Sequence, residues 1–157
     1  MKNLEIYIHI PFCVRKCEYC DFLSFPTDDD AKLRYVKGLM AEMIFYGPLM
    51  KNYQVSSVYI GGGTPSSIDE QWIAALMEGV FDCFNVLPDA EMSIECNPGT
   101  LSREKLLAYR DAGINRLSIG LQSANNDELK LLGRIHTFEQ FVTNYEVARN
   151  VGFKNIN

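Results

Sequence analysis

Residues 4–20 read LEIYIHIPFCVRKCEYC, a short apolar segment that runs directly into three closely spaced cysteines. Within this segment Ile6, Ile8 and Ile10 alternate with polar side chains. A period of two residues predicts a β-strand over residues 4–10 with one apolar face and one polar face. The cysteines then lie in the loop that directly follows this first strand.

Four later segments predict further strands of the same sheet. They are residues 55–60, 91–96, 114–121 and 153–157, the last of which begins a fifth strand. The complete strands alternate apolar and polar side chains, whereas parallel strands covered on both faces usually read as continuous apolar runs. An unpaired buried polar group costs on the order of a few kcal/mol. The alternation therefore favours a wet or ligand-filled lumen on the polar face, and a face open to solvent is the alternative.

Helical segments separate these strands. The acidic run Asp28–Asp30 offers N-cap chemistry to a first helix, two further helices are predicted from about Asp69 and from Ser102, and others over residues 127–132 and 138–150. Strands that alternate with helices in this way predict βα units, right-handed crossovers and a parallel sheet.

The predicted fold class is α/β, an incomplete parallel (βα) barrel of about four and a half βα units. A closed eight-unit barrel needs about 200 residues or more, and the chain has 157. We expect residues 1–157 to form one domain that is truncated at its fifth strand. Functional sites of parallel barrels lie at the carboxyl ends of the strands, which is where the cysteine loop is placed.

Charge and composition narrow the class of function. With 15 Lys and Arg against 20 Asp and Glu, the net charge of −5 gives no basic footprint for nucleic acid. No apolar run is long enough to cross a bilayer, and Glu5 and His9 interrupt the N-terminal apolar segment, which argues against a secretory signal. These features predict a cytoplasmic protein that is not transmembrane. Its five cysteines are then expected to be reduced and suited to metal binding or catalysis.

Three of the cysteines share one loop. Cys13, Cys17 and Cys20 have the spacing CxxxCxxC. Three thiolates so placed suit three irons of a cubane iron–sulfur cluster and leave the fourth iron without a protein ligand. A structural zinc site with His9 or Cys96 as its fourth ligand is the alternative. A thiol–disulfide exchange site fits less well, because it would more often show a lone CxxC pair.

The cysteine motif, with an aromatic residue (Tyr19) just before the last cysteine, resembles the signature of radical S-adenosylmethionine (SAM) enzymes. Six motifs extend the resemblance to the oxygen-independent coproporphyrinogen III oxidase family and its heme-chaperone relatives. The motifs are YIHIPFC at 7–13, which leads into the cysteines, GGGTPS at 61–66, ECNPGT at 95–100, AGINR at 112–116, SIGLQS at 118–123 and LGRIH at 132–136. The resemblance covers essentially the whole chain.

The resemblance implies two cofactors. Cysteines matching Cys13, Cys17 and Cys20 hold a four-iron, four-sulfur (4Fe-4S) cluster, and the amino and carboxylate groups of SAM chelate its open iron. The reduced cluster cleaves SAM to methionine and a 5′-deoxyadenosyl radical. In the oxidases this radical abstracts hydrogen from a porphyrinogen propionate, which leads to oxidative decarboxylation. The family fold is a partial barrel of six βα units.

The resemblance also implies SAM contacts at the carboxyl ends of the strands. Glycines let the backbone approach a ligand closely, Glu95 suits an ammonium group, Arg134 a carboxylate, and Gln122 ribose hydroxyls. The positions that match SAM contacts are Tyr7, Gly62, Gly63, Thr64, Glu95, Gln122 and Arg134. His136 ends the last motif and receives no chemical role.

One position departs from the oxidase pattern. The decarboxylating oxidases typically carry a fourth cysteine two residues after the third, where this chain has Phe22. Phe22 favours the chaperone-like branch, for which the resemblance implies heme binding and transfer of heme to acceptor proteins. The heme-binding motif of that branch lies in a C-terminal region outside residues 1–157. We therefore expect heme as a further ligand and heme-acceptor proteins as partners. A porphyrinogen oxidase and a structural zinc domain are the alternatives, which leaves the status of the chain as an enzyme open.

Overall fold

The computed structural model describes all 157 residues and shows five parallel strands in one open sheet, alternating with helices. The elements are β1 (Lys2–Ile10), α1 (Asp29–Tyr46), β2 (Tyr53–Gly62), α2 (Glu70–Cys83), β3 (Val86–Cys96), α3 (Arg103–Asp111), β4 (Arg116–Ile119), α4 (Asn126–Leu131), α5 (Phe138–Asn150) and β5 (Asn155–Ile156). Short 3₁₀ turns cover Gly47–Met50, Pro65–Ser67 and Pro98–Thr100. The predicted α/β class is confirmed.

The strands follow one another across the sheet in chain order, from β1 to β5. Right-handed crossovers in such an unbroken order place the connecting helices on one face of the sheet. Accordingly α1 packs against α2, α2 against α3, and α3 against α5. The opposite face is left for the polar side chains, as in an opened section of a parallel barrel.

The core lies between the sheet and these helices. Ile10, Ile60, Ile94 and Leu117, one from each of the first four strands, are fully buried on the face that the alternation predicted to be apolar. Each such side chain contributes roughly 1.5–3 kcal/mol by leaving water. This apolar layer fixes the register of the sheet, because a shift of one residue would expose the whole set.

The first three helices start where they were predicted to, and each start is capped by a side chain. The side chains of Asp28, Asp69 and Ser102 accept hydrogen bonds from backbone N–H groups in the first turns of α1, α2 and α3. Such a cap stabilises a helix by about 1 kcal/mol. None of the helices combines the length and apolar content that crossing a bilayer requires.

All five strands differ in length from the prediction: β1, β2 and β3 are longer, and β4 and β5 are shorter. β3 begins at Val86 rather than residue 91. Its early residues lie where the pairing with β2 shifts register, so Pro88, which has no backbone N–H, is not required to donate a hydrogen bond to β2. β4 is confined to Arg116–Ile119. The Asn115 side chain bonds to the backbone of β3, accepting from Met92 N and donating to Ala90 O at 2.9 Å each, which ends the ladder on that side.

Some polar side chains on the face opposite the helices form hydrogen bonds with one another. Arg116 donates to Glu91 and to Ser93 at 3.2 Å each, and the Ser93 hydroxyl donates to Glu91 at 2.9 Å. The two bonds from Arg116 join β4 to β3, and the third lies within β3. They satisfy polar groups near the middle of the sheet, while the polar groups at the carboxyl ends of the strands face the cysteine loop.

Candidate functional site

The cysteine loop, residues 11–28, folds over the carboxyl ends of the strands and encloses a pocket of about 380 Å³. Nine of the ten metal and SAM positions assigned from the sequence line this pocket. They are Cys13, Cys17, Cys20, Gly62, Gly63, Thr64, Glu95, Gln122 and Arg134. The structure thus brings together residues that lie up to 121 positions apart in the chain (134 minus 13).

Backbone hydrogen bonds tie the base of the cysteine loop to itself and to β2. Phe12 and Phe25 form an isolated parallel bridge, in which Cys13 N donates to Phe25 O at 3.3 Å and Phe25 N donates to Pro11 O at 3.0 Å. Thr64 N donates to Phe12 O at 2.7 Å. These bonds place Cys13 at the rim of the sheet and leave the tip of the loop above the pocket.

The three cysteines of the loop are free thiols at different depths. Cys13 is buried, whereas Cys17 and Cys20 are partly exposed and are joined by a turn in which Cys20 N donates to Cys17 O at 3.1 Å. No three His, Cys, Asp or Glu side chains are grouped so as to hold a single metal ion. A cubane cluster differs from a single ion, because each thiolate binds a different iron. The donor set therefore fits a cluster better than a mononuclear site.

The zinc alternative required His9 or Cys96 as a fourth ligand, and both are engaged elsewhere. Cys96 borders the pocket, its thiol donates to Ile94 O at 3.8 Å, and burial raises its pKa to about 12. The ring nitrogens of His9 contact the Tyr7 hydroxyl at 2.8 Å and Leu23 O at 3.3 Å. Both side chains therefore have polar partners within the protein, and neither belongs to a group of three potential metal ligands.

The GGGTPS glycines make room for the protein's own chain as well as for a ligand. Gly62 has a φ of 121°, a left-handed conformation that side chains rarely adopt. A Cβ on Gly63 would lie 2.6 Å from the carbonyl oxygen of Phe12, far inside contact distance. The sequence interpretation assigned these glycines to ligand approach alone. The structure adds that they let the cysteine loop sit against β2.

Glu95 is held by two donors on different oxygens. The Tyr59 hydroxyl donates to Oε1 at 2.8 Å, and Gly62 N donates to Oε2 at 3.0 Å. The carboxylate lies at the end of β3 and borders the pocket. Its remaining lone pairs can accept from a positively charged ligand group, as the sequence interpretation of Glu95 requires.

Arg134 connects the segment after α4 to the cysteine loop. Its Nη2 donates to Gly120 O at 2.7 Å, and its Nη1 donates to the Tyr19 hydroxyl at 3.3 Å and lies 3.7 Å from Cys17 Sγ. Its Nε is buried without a hydrogen-bond partner. An unsatisfied buried donor in a pocket wall suits an acceptor on a bound ligand, and the carboxylate of SAM is such an acceptor.

Gln122 has an unusual backbone conformation that His136 supports. Gln122 is the only non-glycine residue with a positive φ, 71°. His136 Nε2 donates to the carbonyl of the preceding residue, Leu121, at 3.2 Å. Burial, with a smaller effect from Arg134, lowers the pKa of His136, so its ring is neutral and Nε2 carries the proton. His136, unassigned from the sequence, therefore fixes the backbone beside a pocket residue.

Tyr7 is the assigned residue that does not line the pocket. Its side chain is 59% exposed on the polar face of β1, and its hydroxyl bonds to His9. Its ring stacks on the Tyr59 ring with centroids 6.3 Å apart, which links it to the tyrosine that holds Glu95. The structure thus places Tyr7 one side chain away from the pocket wall.

Sequence reasoning missed several residues of this site. Tyr59 and Ser118 lie on the polar strand faces, and Arg15 and Lys16 lie between the cysteines. The side-chain alternation identified the faces of Tyr59 and Ser118 without a role for either. Two basic side chains beside three thiolates were a usable signal, because cations favour the thiolate form.

The model of the radical SAM superfamily matches residues 7–157. The chain is 38% identical to heme chaperone HemW of Escherichia coli (strain K12) over 160 residues, covering 98% of this chain and 41% of that protein. It is 38% identical to heme chaperone HemW of Bacillus subtilis (strain 168), covering 96% of this chain and 40% of that protein. The chain therefore spans about two fifths of these relatives.

A solved structure shares the fold closely. Coproporphyrinogen III oxidase (HemN) from Escherichia coli, described as a radical SAM enzyme, superposes with a TM-score of 0.91 at 32% sequence identity. The match covers 99% of this chain and 36% of that one.

Proposed function

Since the chain belongs to the radical SAM superfamily, we propose that its pocket holds a 4Fe-4S cluster on Cys13, Cys17 and Cys20, with SAM bound beside the cluster. Radical SAM proteins as a family use these two cofactors. One observation carries the proposal for this chain: the cysteine loop and the assigned SAM residues border the same pocket.

In this proposal, different pocket residues recognise different parts of SAM. Glu95 accepts from its ammonium group, and the free Nε–H of Arg134 donates to its carboxylate. Gly62, Gly63 and Thr64 lie along its methionine part, and Gln122 bonds its ribose hydroxyls. Tyr7 supports Glu95 through the Tyr59 ring. When bound and reduced, the cluster supplies the electron for reductive cleavage of SAM.

For the whole protein we propose a role in handling heme, in the manner of a heme chaperone with heme-acceptor partners. The relatives at 38% identity that are named heme chaperones support this role. Phe22, which borders the pocket and is 64% exposed where the oxidases typically carry a fourth cysteine, supports it as well. The five free cysteines favour a reducing compartment, and we propose the cytoplasm.

Oxidation of a porphyrinogen is the second candidate. The close superposition on an oxidase, coproporphyrinogen III oxidase from Escherichia coli, favours it. In that reaction the propionate of the substrate would lose carbon dioxide with consumption of SAM.

One experiment separates the two candidates. The complete protein, reconstituted without oxygen, is given coproporphyrinogen III with SAM and a reductant, and in parallel is titrated with heme. We expect heme to bind and to pass to an acceptor protein, with no protoporphyrinogen IX formed. Decarboxylation of coproporphyrinogen would overturn the chaperone proposal in favour of the oxidase.

A further inference from the structure

Tyr59 is a polar aromatic residue near the end of β2 that the assignment of SAM contacts leaves without a role. Its hydroxyl donates to Glu95 Oε1 at 2.8 Å. Its ring is partly buried and stacks on Tyr7. A phenylalanine would fill the same space, so the hydroxyl itself points to a purpose at Glu95.

Glu95 has little freedom once Tyr59 and Gly62 have bonded to it. The two donors approach different oxygens of the carboxylate, at 2.8 and 3.0 Å, and so fix both its position and its plane. A carboxylate has about four lone-pair sites, so each oxygen keeps one for a further donor. An acceptor that is already oriented binds a charged donor without losing side-chain freedom on binding.

Gly61 leaves room for the contact between Tyr59 and Glu95. A Cβ at Gly61 would lie 2.8 Å from the Tyr59 ring and 3.1 Å from Glu95 Oε2. The first glycine of the GGGTPS motif is therefore needed where the tyrosine and the carboxylate meet.

We propose that Tyr59 is a positioning residue that holds Glu95 in the orientation needed to accept the ammonium group of SAM. This inference rests on the proposed function of the pocket. Burial and the hydrogen bond to Glu95 raise the pKa of Tyr59 to about 12, so the hydroxyl remains a donor throughout the range in which SAM binding is measured.

The test is equilibrium binding to the cluster-reconstituted protein and its Tyr59→Phe variant, with two probes. SAM carries the ammonium group, whereas 5′-methylthioadenosine shares the nucleoside and lacks the amino acid. We expect Tyr59→Phe to weaken SAM binding about tenfold to a hundredfold, the effect of losing one hydrogen bond to a charged group. Binding of 5′-methylthioadenosine and the iron content should not change. Tyr53→Phe, at the start of the same strand, is the matched control and should bind SAM as the wild type does.

A double-mutant cycle separates positioning from a merely structural role. In the Glu95→Gln background, Tyr59→Phe should change SAM binding less than twofold, because the oriented carboxylate is already gone. Equal SAM affinity of wild type and Tyr59→Phe would overturn the inference, and so would effects of the two substitutions that simply add. A wild-type protein that holds a cluster and fails to bind SAM would instead contradict the proposed function, which keeps the two failures distinct.

Discussion

The helix-covered face of the sheet and the cysteine loop are built in opposite ways. The sheet face buries fully apolar side chains such as Ile60 and Ile94. The loop is held by a few hydrogen bonds, at its base and from Glu18 N to Leu132 O at 3.2 Å, and it exposes apolar side chains, with Phe22 64% and Leu23 77% exposed. The contrast teaches that stability resides in the sheet and helices, whereas the metal ligands lie on a segment that contributes little to the core. The pocket forms where the two regions meet.

The largest effect is expected from a cavity in the sheet. Ile94→Ala removes a fully buried side chain from β3 and should lower the free energy of unfolding by about 2–5 kcal/mol, with loss of iron binding as the fold fails. Denaturant unfolding of the cluster-free protein measures it. Leu131→Ala, at a 79% exposed position, is the control and should change stability by less than about 0.5 kcal/mol. A cost below about 1 kcal/mol for Ile94→Ala would mean that the core is not where the stability lies.

Removing a cysteine ligand from the loop should abolish iron binding and leave the stability of the fold nearly unchanged. Cys17→Ala is expected to reduce iron after anaerobic reconstitution to background, while the unfolding free energy of the cluster-free protein changes by less than about 0.5 kcal/mol. Cys17 is partly exposed and lies outside the core, which is the reason for the small change in stability. Cys83→Ala should retain full iron content. Full iron content in Cys17→Ala would contradict the cluster assignment.

Gly63→Ala tests the contact between the two regions. Its Cβ would meet the Phe12 carbonyl at 2.6 Å, so the loop must shift, at a cost of about 1–3 kcal/mol and with partial loss of iron. Gly38→Ala in α1 has no atom within 4 Å of the added Cβ and should instead stabilise the protein by up to about 1 kcal/mol. If both variants behave alike, the loop does not depend on close approach to β2.

The smallest effect concerns thiol reactivity. Burial raises the pKa of Cys96 to about 12, so the thiol is almost entirely protonated at pH 8, and its alkylation should rise with pH toward pH 11. In cluster-free protein, mass spectrometry should find Cys17 and Cys20 labelled first, because both are partly exposed. Labelling of Cys96 as fast as Cys17 at pH 8 in folded protein would contradict the structure.

Local patterns predicted the fold well, because strand alternation and helix caps depend on neighbouring residues. The caps at Asp28, Asp69 and Ser102 are examples, and all three start helices where expected. The lengths of β3 and β4 were predicted less well, because a register shift and the Asn115 side chain set them through contacts between strands.

The sequence predicted which residues line the pocket, and it did not predict the hydrogen bonds that hold them. The motifs named nine residues that the structure brings together. The bond from Tyr59 to Glu95 depends on how β2 and β3 pair, and the support of Leu121 by His136 depends on how the chain returns after α4. Neither contact has a signal in sequence spacing.

The most direct test of the central claim is the electron paramagnetic resonance spectrum of the anaerobically reconstituted and reduced protein, recorded before and after SAM is added. If the cysteine loop holds a 4Fe-4S cluster with an open iron at the pocket, a reduced-cluster signal should be present and SAM should alter it. A protein that binds stoichiometric zinc and gives no cluster signal, or a cluster signal indifferent to SAM, would contradict the account.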